Sequence, residues 1–429
     1  MRKLEIFGTL GIPSTEVLSV LRFRTIDRPL FPSLKMLDLS SVPGSFIPFI
    51  PLFLSSKTTA IDITFSASEA PKAVIASMVT TLPTLCPNLQ IISLENLPRD
   101  PDITAAVSGM LLATNQNTLR SFHVDSPLTG EAHEAIYKLA NLCELSTVIE
   151  KDTPLPPAVL PNLTNLTITY DGGDDWMQVF RGATLQKLES AIFYPQSTQI
   201  GDFLRAFARM ALVISAQNAL SELFLYTTCS WNPTYRSLLP FTQLKVLHIE
   251  FSCRGGCSSR VDDGIIIDLA RAMPKLETLH LGDAPCRQIP IGVTAKGLVA
   301  LANHCLDLST LRIHFQVDSL SDKPAAAGIA SNVGSIAPRR DCALTELDAG
   351  HIFVPEGSVL TVALTLARIF PCIETIYYSD DDDETWDEVE EAIRDSRQIV
   401  DCSGKEFPLA ITRCNLNDIS TGAILENGS

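Results

Sequence analysis

The sequence predicts an α/β solenoid, in which short parallel strands alternate with helices and stack unit upon unit along one axis. Three observations carry that expectation. Within residues 292–315 (GVTAKGLVALANHCLDLSTLRIHF) the apolar period changes partway, from helical spacing at Leu298, Leu301 and Ala302 to the strand pattern Leu308, Leu311 and Ile313. The strand pattern, L-x-x-L-x-L, recurs from Met1 to Ile373 in fourteen copies of unequal quality, a mean period of about 29 residues. No G-x-G-x-x-G or other phosphate loop follows a strand, which counts against a doubly wound sheet, the competing arrangement for alternating helices and strands. One helix-plus-strand unit cannot bury its own apolar faces, so the copies have to stack.

Taken in order, the motif is weak at Met1, Leu4 and Ile6 and clear at Leu34, Leu37 and Leu39. It is poor in TTAIDITF, where only Ile61 and Ile63 fit, and clear again at Leu89, Ile92 and Leu94. Further copies open at Leu119, Leu142 and Leu163, with a degraded one, ATLQKLES, at Leu185. The C-terminal copies are cleaner and open at Leu220, Leu244, Leu276, Leu308, Leu344 and Ile373. Between the motifs, helical spacing predicts helices over 103–113, 131–142, 203–214, 263–273, 295–304 and 359–369. Short strands alternating with helices put a parallel sheet on the concave face of a curved stack and the helices on the convex face. At this period the arrangement is a leucine-rich-repeat solenoid, or horseshoe. The asparagine that often follows the strand in such repeats is replaced by Val42, Leu97, Pro127 and Ala284, so turn chemistry is expected to differ between units.

The two ends differ. After Tyr378, SDDDDETWDEVEEAIRDSRQIV predicts an acidic capping helix at about 384–399, because its carboxylates suit a helix N-terminus and Trp386, Val389 and Ile393 share one face. The solenoid is therefore expected to span 1–400, with 401–429 as a C-terminal tail. The chain starts inside a motif, which predicts an uncapped apolar edge there.

Composition narrows function by exclusion. A chain with 46% hydrophobic and 19% charged residues is globular. Its net charge of −16 counts against nucleic acid and anionic membranes as partners. No signal-peptide core is visible and no stretch reaches the roughly 18 apolar residues of a membrane helix, so a cytoplasmic or nuclear location is expected. Eleven cysteines at irregular spacing make no disulfide framework. Of these, Cys86, Cys305, Cys342 and Cys372 sit just ahead of their motifs and read as small buried packing residues.

Signatures of catalysis are missing: there is no G-x-S-x-G, H-E-x-x-H, phosphate-loop or kinase set. His133 and Glu134 have no second histidine at metal spacing, and Cys253 and Cys257 are too far apart for a C-x-x-C pair. The acidic run 380–384 meets Thr385 where a calcium loop needs glycine. The chain is therefore not expected to be an enzyme, and no cofactor or metal is expected. The sequons at Asn162 and Asn165 fall inside a predicted strand motif and read as coincidental.

Residues 292–315, with VPEGSVLTVALTLARIFP and FPCIETIYYSDDDDETWDEVEEAIRDSRQIV, resemble the leucine-rich-repeat region of fungal F-box proteins. In many of these a TxKGLxALAxHCxxL helix-strand unit is followed by an acidic, Trp-containing C-terminal helix. The resemblance is most specific over 244–400. It implies a substrate-recognition subunit of an SCF-type ubiquitin ligase, whose N-terminal F-box binds the Skp adaptor while the repeats hold a protein substrate. The Leu-Pro-x-Glu-like opening of an F-box is not visible in this chain, so the Skp adaptor is expected as a partner only if an F-box lies upstream. A free-standing leucine-rich-repeat scaffold or inhibitor would use the same surface without a ligase. A Ran-type GTPase-activating protein, the third class, would carry regular asparagine-bearing repeats that this chain lacks.

In L-x-x-L-x-L the residue between the fourth and sixth positions points away from the helices. That rule puts Phe224, His248, His280 and Arg312 in one row on the concave face. Two residues further on stand Tyr226, Glu250, Gly282 and His314. Aromatic and arginine side chains commonly anchor interfaces, so a protein partner is expected on this surface. Histidines beside an arginine also predict that an acidic partner would bind more tightly as pH falls toward about 6.

Overall fold

A computed structural model describes residues 2–7, 14–24, 29–66, 71–114, 117–150, 160–171, 185–195, 219–228, 235–252, 261–282, 292–320, 342–350, 352, 354–378 and 383–403. Among them fourteen strands form one sheet whose order is the order of the sequence. They are β1 (Lys3–Phe7), β2 (Met36–Val42), β3 (Ala60–Phe65), β4 (Ile91–Glu95), β5 (Ser121–Pro127), β6 (Glu144–Glu150) and β7 (Asn165–Asp171). They continue as β8 (Ser190–Pro195), β9 (Glu222–Thr228), β10 (Val246–Ser252), β11 (Thr278–Leu281), β12 (Thr310–Ile313), β13 (Glu346–Gly350) and β14 (Thr375–Tyr378). Each motif read from the sequence supplies one strand, and every neighbouring pair runs parallel.

A parallel pair cannot be closed by a tight hairpin, so each strand is followed by a crossover. The described crossover helices are α1 (Thr15–Arg24), α2 (Lys72–Leu85), α3 (Pro101–Ala113), α4 (Gly130–Ile136), α5 (Asp263–Ala272), α6 (Ala295–His304) and α7 (Val359–Ile369), followed by the terminal α8 (Asp383–Ser403). Where the crossover is FIPFIPL, a short 3-10 helix at Ile47–Leu52 replaces the α-helix, because proline has no N–H to continue one. The helix expected over 131–142 stops at Ile136. Beyond it Lys138 and Leu139 donate to carbonyls only three residues back, Ala135 and Ile136, which tightens the chain out of α geometry. The capping helix runs on to Ser403, past the expected boundary at 400. The helix expected over 203–214, together with Cys253, Cys257, Ala284 and residues 380–382, lies outside the described residues.

One backbone device recurs at every junction from β1/β2 to β13/β14. A single carbonyl ahead of each strand accepts two successive N–H groups from the next unit. Lys35 O accepts from Thr59 N (2.8 Å) and Ala60 N (3.0 Å), Lys245 O from Glu277 N (2.7 Å) and Thr278 N (2.9 Å), and Thr345 O from Glu374 N (2.7 Å) and Thr375 N (3.0 Å). Hydroxyls of Thr59, Thr164, Ser221, Ser309 and Thr345 donate to the same carbonyl at five junctions, but the two N–H groups are present at every one, so the contact holds the register of good and poor motifs alike.

The motif leucines form one continuous core with the inner faces of the helices. Leu276, Leu279, Leu308 and Leu311 are fully buried, each worth roughly 1.5–3 kcal/mol relative to exposure. In the poor copy, Thr58 takes the first leucine position. Its hydroxyl donates to Leu34 O at 3.2 Å and accepts from Ser55 N at 3.2 Å, so the buried oxygen is satisfied. The degraded copy is phased differently from its reading in the sequence. Ala191 pairs with Leu223 and Phe193 with Leu225, so the motif opens at Leu188 rather than Leu185. The cysteine expectation holds for Cys86, Cys305 and Cys342, which are buried. Cys372 is exposed, because the turn between α7 and β14 turns it outward while Phe370 and Ile373 fill the core.

The segment TAKGL links consecutive units. Asp263, in the first turn of α5, accepts from Thr294 N (2.8 Å), Thr294 Oγ1 (2.7 Å) and Gly297 N (3.1 Å) at the start of α6. One carboxylate thus accepts from the cap residue and from one first-turn N–H of the next helix, where its charge is also favourable. Glycine at 297 leaves room for this contact: a Cβ there would stand 2.7 Å from Asp263 Oδ1 and the carboxylate would have to move. Between β4 and β5, Asp125 does similar work on a turn. It accepts from the backbone N–H of Asn96, a residue in the left-handed region at φ 57°, and from Leu97 N at 3.1 Å. At the C-terminal end Trp386 is fully buried and donates from Nε1 to Ile352 O at 2.7 Å, which docks α8. At the other end β1 forms the sheet edge, with Leu4 and Ile6 half-buried and Leu18 of α1 buried beneath.

Two predictions follow from these contacts. Asp263→Ala and Gly297→Ala should each lower the denaturant midpoint, by about 1–3 kcal/mol of stability, since one strands helix N–H groups and the other forces the carboxylate aside; an unchanged midpoint in both would remove the clasp as a stabilising element. His133 is buried in α4 with Nδ1 facing Thr129 O at 3.2 Å and no partner at Nε2 among the described residues, and burial lowers its pKa to about 4. The unfolded chain takes up that proton near the ordinary value, so stability should fall as pH drops from about 6.5 toward 4, by roughly 3 kcal/mol in all. Denaturation series across that range should show a shallower pH slope in His133→Gln.

Candidate functional site

The strand side chains that alternate with the core leucines form the other face of the sheet. Most of them are half-exposed. Because neighbouring strands are in register, one residue per strand forms a row across this open face, spaced by about 4.8 Å. The row starts acidic, with Glu5 beside Asp38 and Asp38 beside Asp62, and then passes through Ser93, His123, Ser146 and Thr167. It continues as Ile192 on β8, Phe224 on β9, His248 on β10, His280 on β11 and Arg312 on β12, and ends at Asp348 and Tyr377.

Rings cluster on β8 to β11. Tyr194 and Tyr226 stack with centroids 4.5 Å apart and planes 15° from parallel. The His248 ring lies 5.4 Å from Tyr226, 5.6 Å from Phe224 and 3.9 Å from His280. Tyr194 is 37% exposed and Tyr377 52%, whereas His280 is nearly covered. Large rings left at the surface of a sheet are uncommon unless something else covers them.

The cations of the face are paired within it, and two of its histidines stand beside carboxylates. Arg312 Nε lies 3.0 Å from Asp348 Oδ2 and His248 Nε2 3.5 Å from Glu250 Oε2. His123 Nε2 stands 3.6 Å from Glu95, and Lys3 pairs with Glu5 and Asp38. Burial pushes the Tyr194 phenol above its ordinary pKa and the charge of Glu250 adds to the rise, while Tyr226 opposes it. What these pairs leave over is negative. That weighs against an acidic partner, the kind whose binding the histidines beside the arginine were expected to strengthen at lower pH: Arg312 is already engaged, and His280 has little surface to offer.

Phe224, His248, His280 and Arg312 stand side by side in the expected row, and Tyr226 and Glu250 are neighbours in the next. That second row is interrupted at Gly282, which adopts φ 89° and carries no side chain. His314 follows the end of β12 as a half-buried residue. Tyr194, Asp348 and Tyr377 belong to the same surface but were not singled out in the sequence. Tyr194 was hidden by the misphased motif, while Asp348 and Tyr377 occupy the row position of motifs that were identified. Among the described residues no group of three or more His, Cys, Asp and Glu side chains is arranged to hold a metal ion. No described helix is long and apolar enough to cross a membrane. No protein-family model matches the chain, and no curated protein matches it.

Arg312 and Asp348 form a partly exposed pair, whose loss should cost less than about 1 kcal/mol. Arg312→Ala is therefore expected to unfold within that margin of the parent chain. A larger drop would assign the arginine to the fold rather than to the surface.

Proposed function

We propose that this chain is a leucine-rich-repeat horseshoe that works as a non-catalytic protein-interaction module, with the open face of its sheet as the concave surface that holds a partner. The reading is supported above all by the ring cluster of Tyr194, Phe224, Tyr226 and His248, which sits on strands whose opposite side chains already fill the core. Rings with polar edges beside ion pairs supply the chemistry of interface anchors. Through the resemblance to fungal F-box proteins, the partner is a substrate for ubiquitination and the setting is the cytoplasm or nucleus. An F-box upstream would bring in the Skp adaptor. A free-standing scaffold or inhibitor would use the same surface, and the two separate on one experiment: the ligase reading requires the full gene product to co-purify with a Skp-type adaptor.

For a partner identified by cross-linking to the full chain, Phe224→Ala and Tyr226→Ala should each weaken binding by about tenfold or more. Asp38→Ala, on β2, should leave it nearly unchanged. The reverse pattern, measured by titration calorimetry, would move the recognition surface to the acidic end of the sheet.

A further inference from the structure

We propose that the ring stack on β8 to β10 is a seat for a cationic side chain, arginine or lysine, carried by an extended segment of a partner protein. The inference rests on reading the open face as a protein-binding surface and adds the chemistry of what that surface takes.

Tyr194 and Tyr226 offer a pair of stacked π systems, 4.5 Å apart, with Tyr194 exposed to 37%. Tyr194 is not needed by the core, which β8 fills with Ala191 and Phe193. A guanidinium or ammonium over such rings is held by the ring quadrupole, and arginine also stacks flat on them. A carboxylate stands beside the seat. Glu250 is the register neighbour of Tyr226. Glu250 is close enough for its charge to be felt at the Tyr194 phenol.

The rest of the face points the same way. Its strand cations among the described residues, Lys3 and Arg312, are both ion-paired within it. Meanwhile Glu5, Asp38 and Asp62 stand side by side in register at the far end of the face, three carboxylates with Lys3 beside two of them, so the field there is negative as well. An acidic segment would meet this field unfavourably, and so would nucleic acid.

The test is selection of short extended peptides from an unbiased displayed library against the full chain. Winners should be enriched in arginine or lysine, and their binding should weaken roughly tenfold in Tyr194→Ala and Tyr226→Ala. Glu250→Gln should weaken it measurably and high salt should do the same, while Tyr226→Phe, which keeps the ring, should retain it. Thermal melts of the variants control for folding, and Glu250→Gln, at a partly exposed position, covers the case in which a tyrosine variant fails to fold. Acidic or neutral winners that need the same tyrosines would overturn the cationic seat and leave the protein-binding reading standing. Winners insensitive to both Tyr194→Ala and Asp38→Ala, or no winners, would overturn the reading of the open face itself.

Discussion

The structure depends on one backbone contact repeated at every junction: a carbonyl of one unit, placed just ahead of its strand, accepts two consecutive N–H groups of the next. A carbonyl oxygen has two lone pairs, and here both are used. The contact fixes where each strand begins relative to its neighbour whatever the crossover between them, α-helix, 3-10 turn or longer connection. Each unit therefore contacts chiefly its neighbours and inherits its register from them, the nearest-neighbour logic of stacked repeats. Only after the register is set do the leucines of adjacent units meet. Burial then supplies most of the stability, since each strand contributes side chains to a core that no unit could close alone.

That division of labour explains how much could be read from the sequence. Good motifs such as Leu276, Leu279 and Leu281 announce themselves because one residue type satisfies all three buried positions. Poor copies stack equally well because the paired N–H donors meet the carbonyl whichever side chains fill the motif, so Thr58 can replace leucine once its hydroxyl is bonded. The same tolerance hid the phase of the unit around β8. Leu185 and Leu188 are both buried, three residues apart, and only pairing with β9 decides which one opens the motif. Tyr194 was lost with that phase. Helices α5, α6 and α7 were legible from their apolar spacing. Helix α2 also carries Ile75, Met78, Val79 and Leu82 on its buried side, but Pro83 and β-branched Thr80 and Thr81 obscure it, and long-range packing outweighs such local preferences. The clasp from Asp263 to Thr294 and Gly297 could not be read from spacing alone, because it joins residues more than thirty positions apart.

A repeated backbone also determines where variation is free. Inward strand positions are held to leucine, isoleucine, valine, phenylalanine or small residues by the core, whereas the alternate positions meet no such demand. Along the central row they change from carboxylates on β1 to β3, through small polar residues, to rings on β9 to β11 and an ion pair across β12 and β13. Three neighbouring carboxylates are poor for stability, and exposed rings are poor for solubility. Neither is required by the fold, since the core side of the same strands is already complete. Features that oppose stability without serving the core are expected where a surface is used.

The geometry of the face limits what shape of partner can use it. Row neighbours are about 4.8 Å apart, whereas an extended chain advances about 3.3 Å per residue, so a segment laid across the strands cannot place one side chain on every strand. Residues three apart in such a segment are about 10 Å apart, close to two strand spacings. A segment crossing from β9 to β11 could therefore meet Tyr226 with one side chain and His280 with another three residues later. Between them it would pass over His248, whose ring lies 5.4 Å from that of Tyr226 and 3.9 Å from that of His280. Spacing of this kind selects partners by the interval between anchors as well as by their chemistry, and that interval follows from the strand separation, which the backbone contact at each junction maintains.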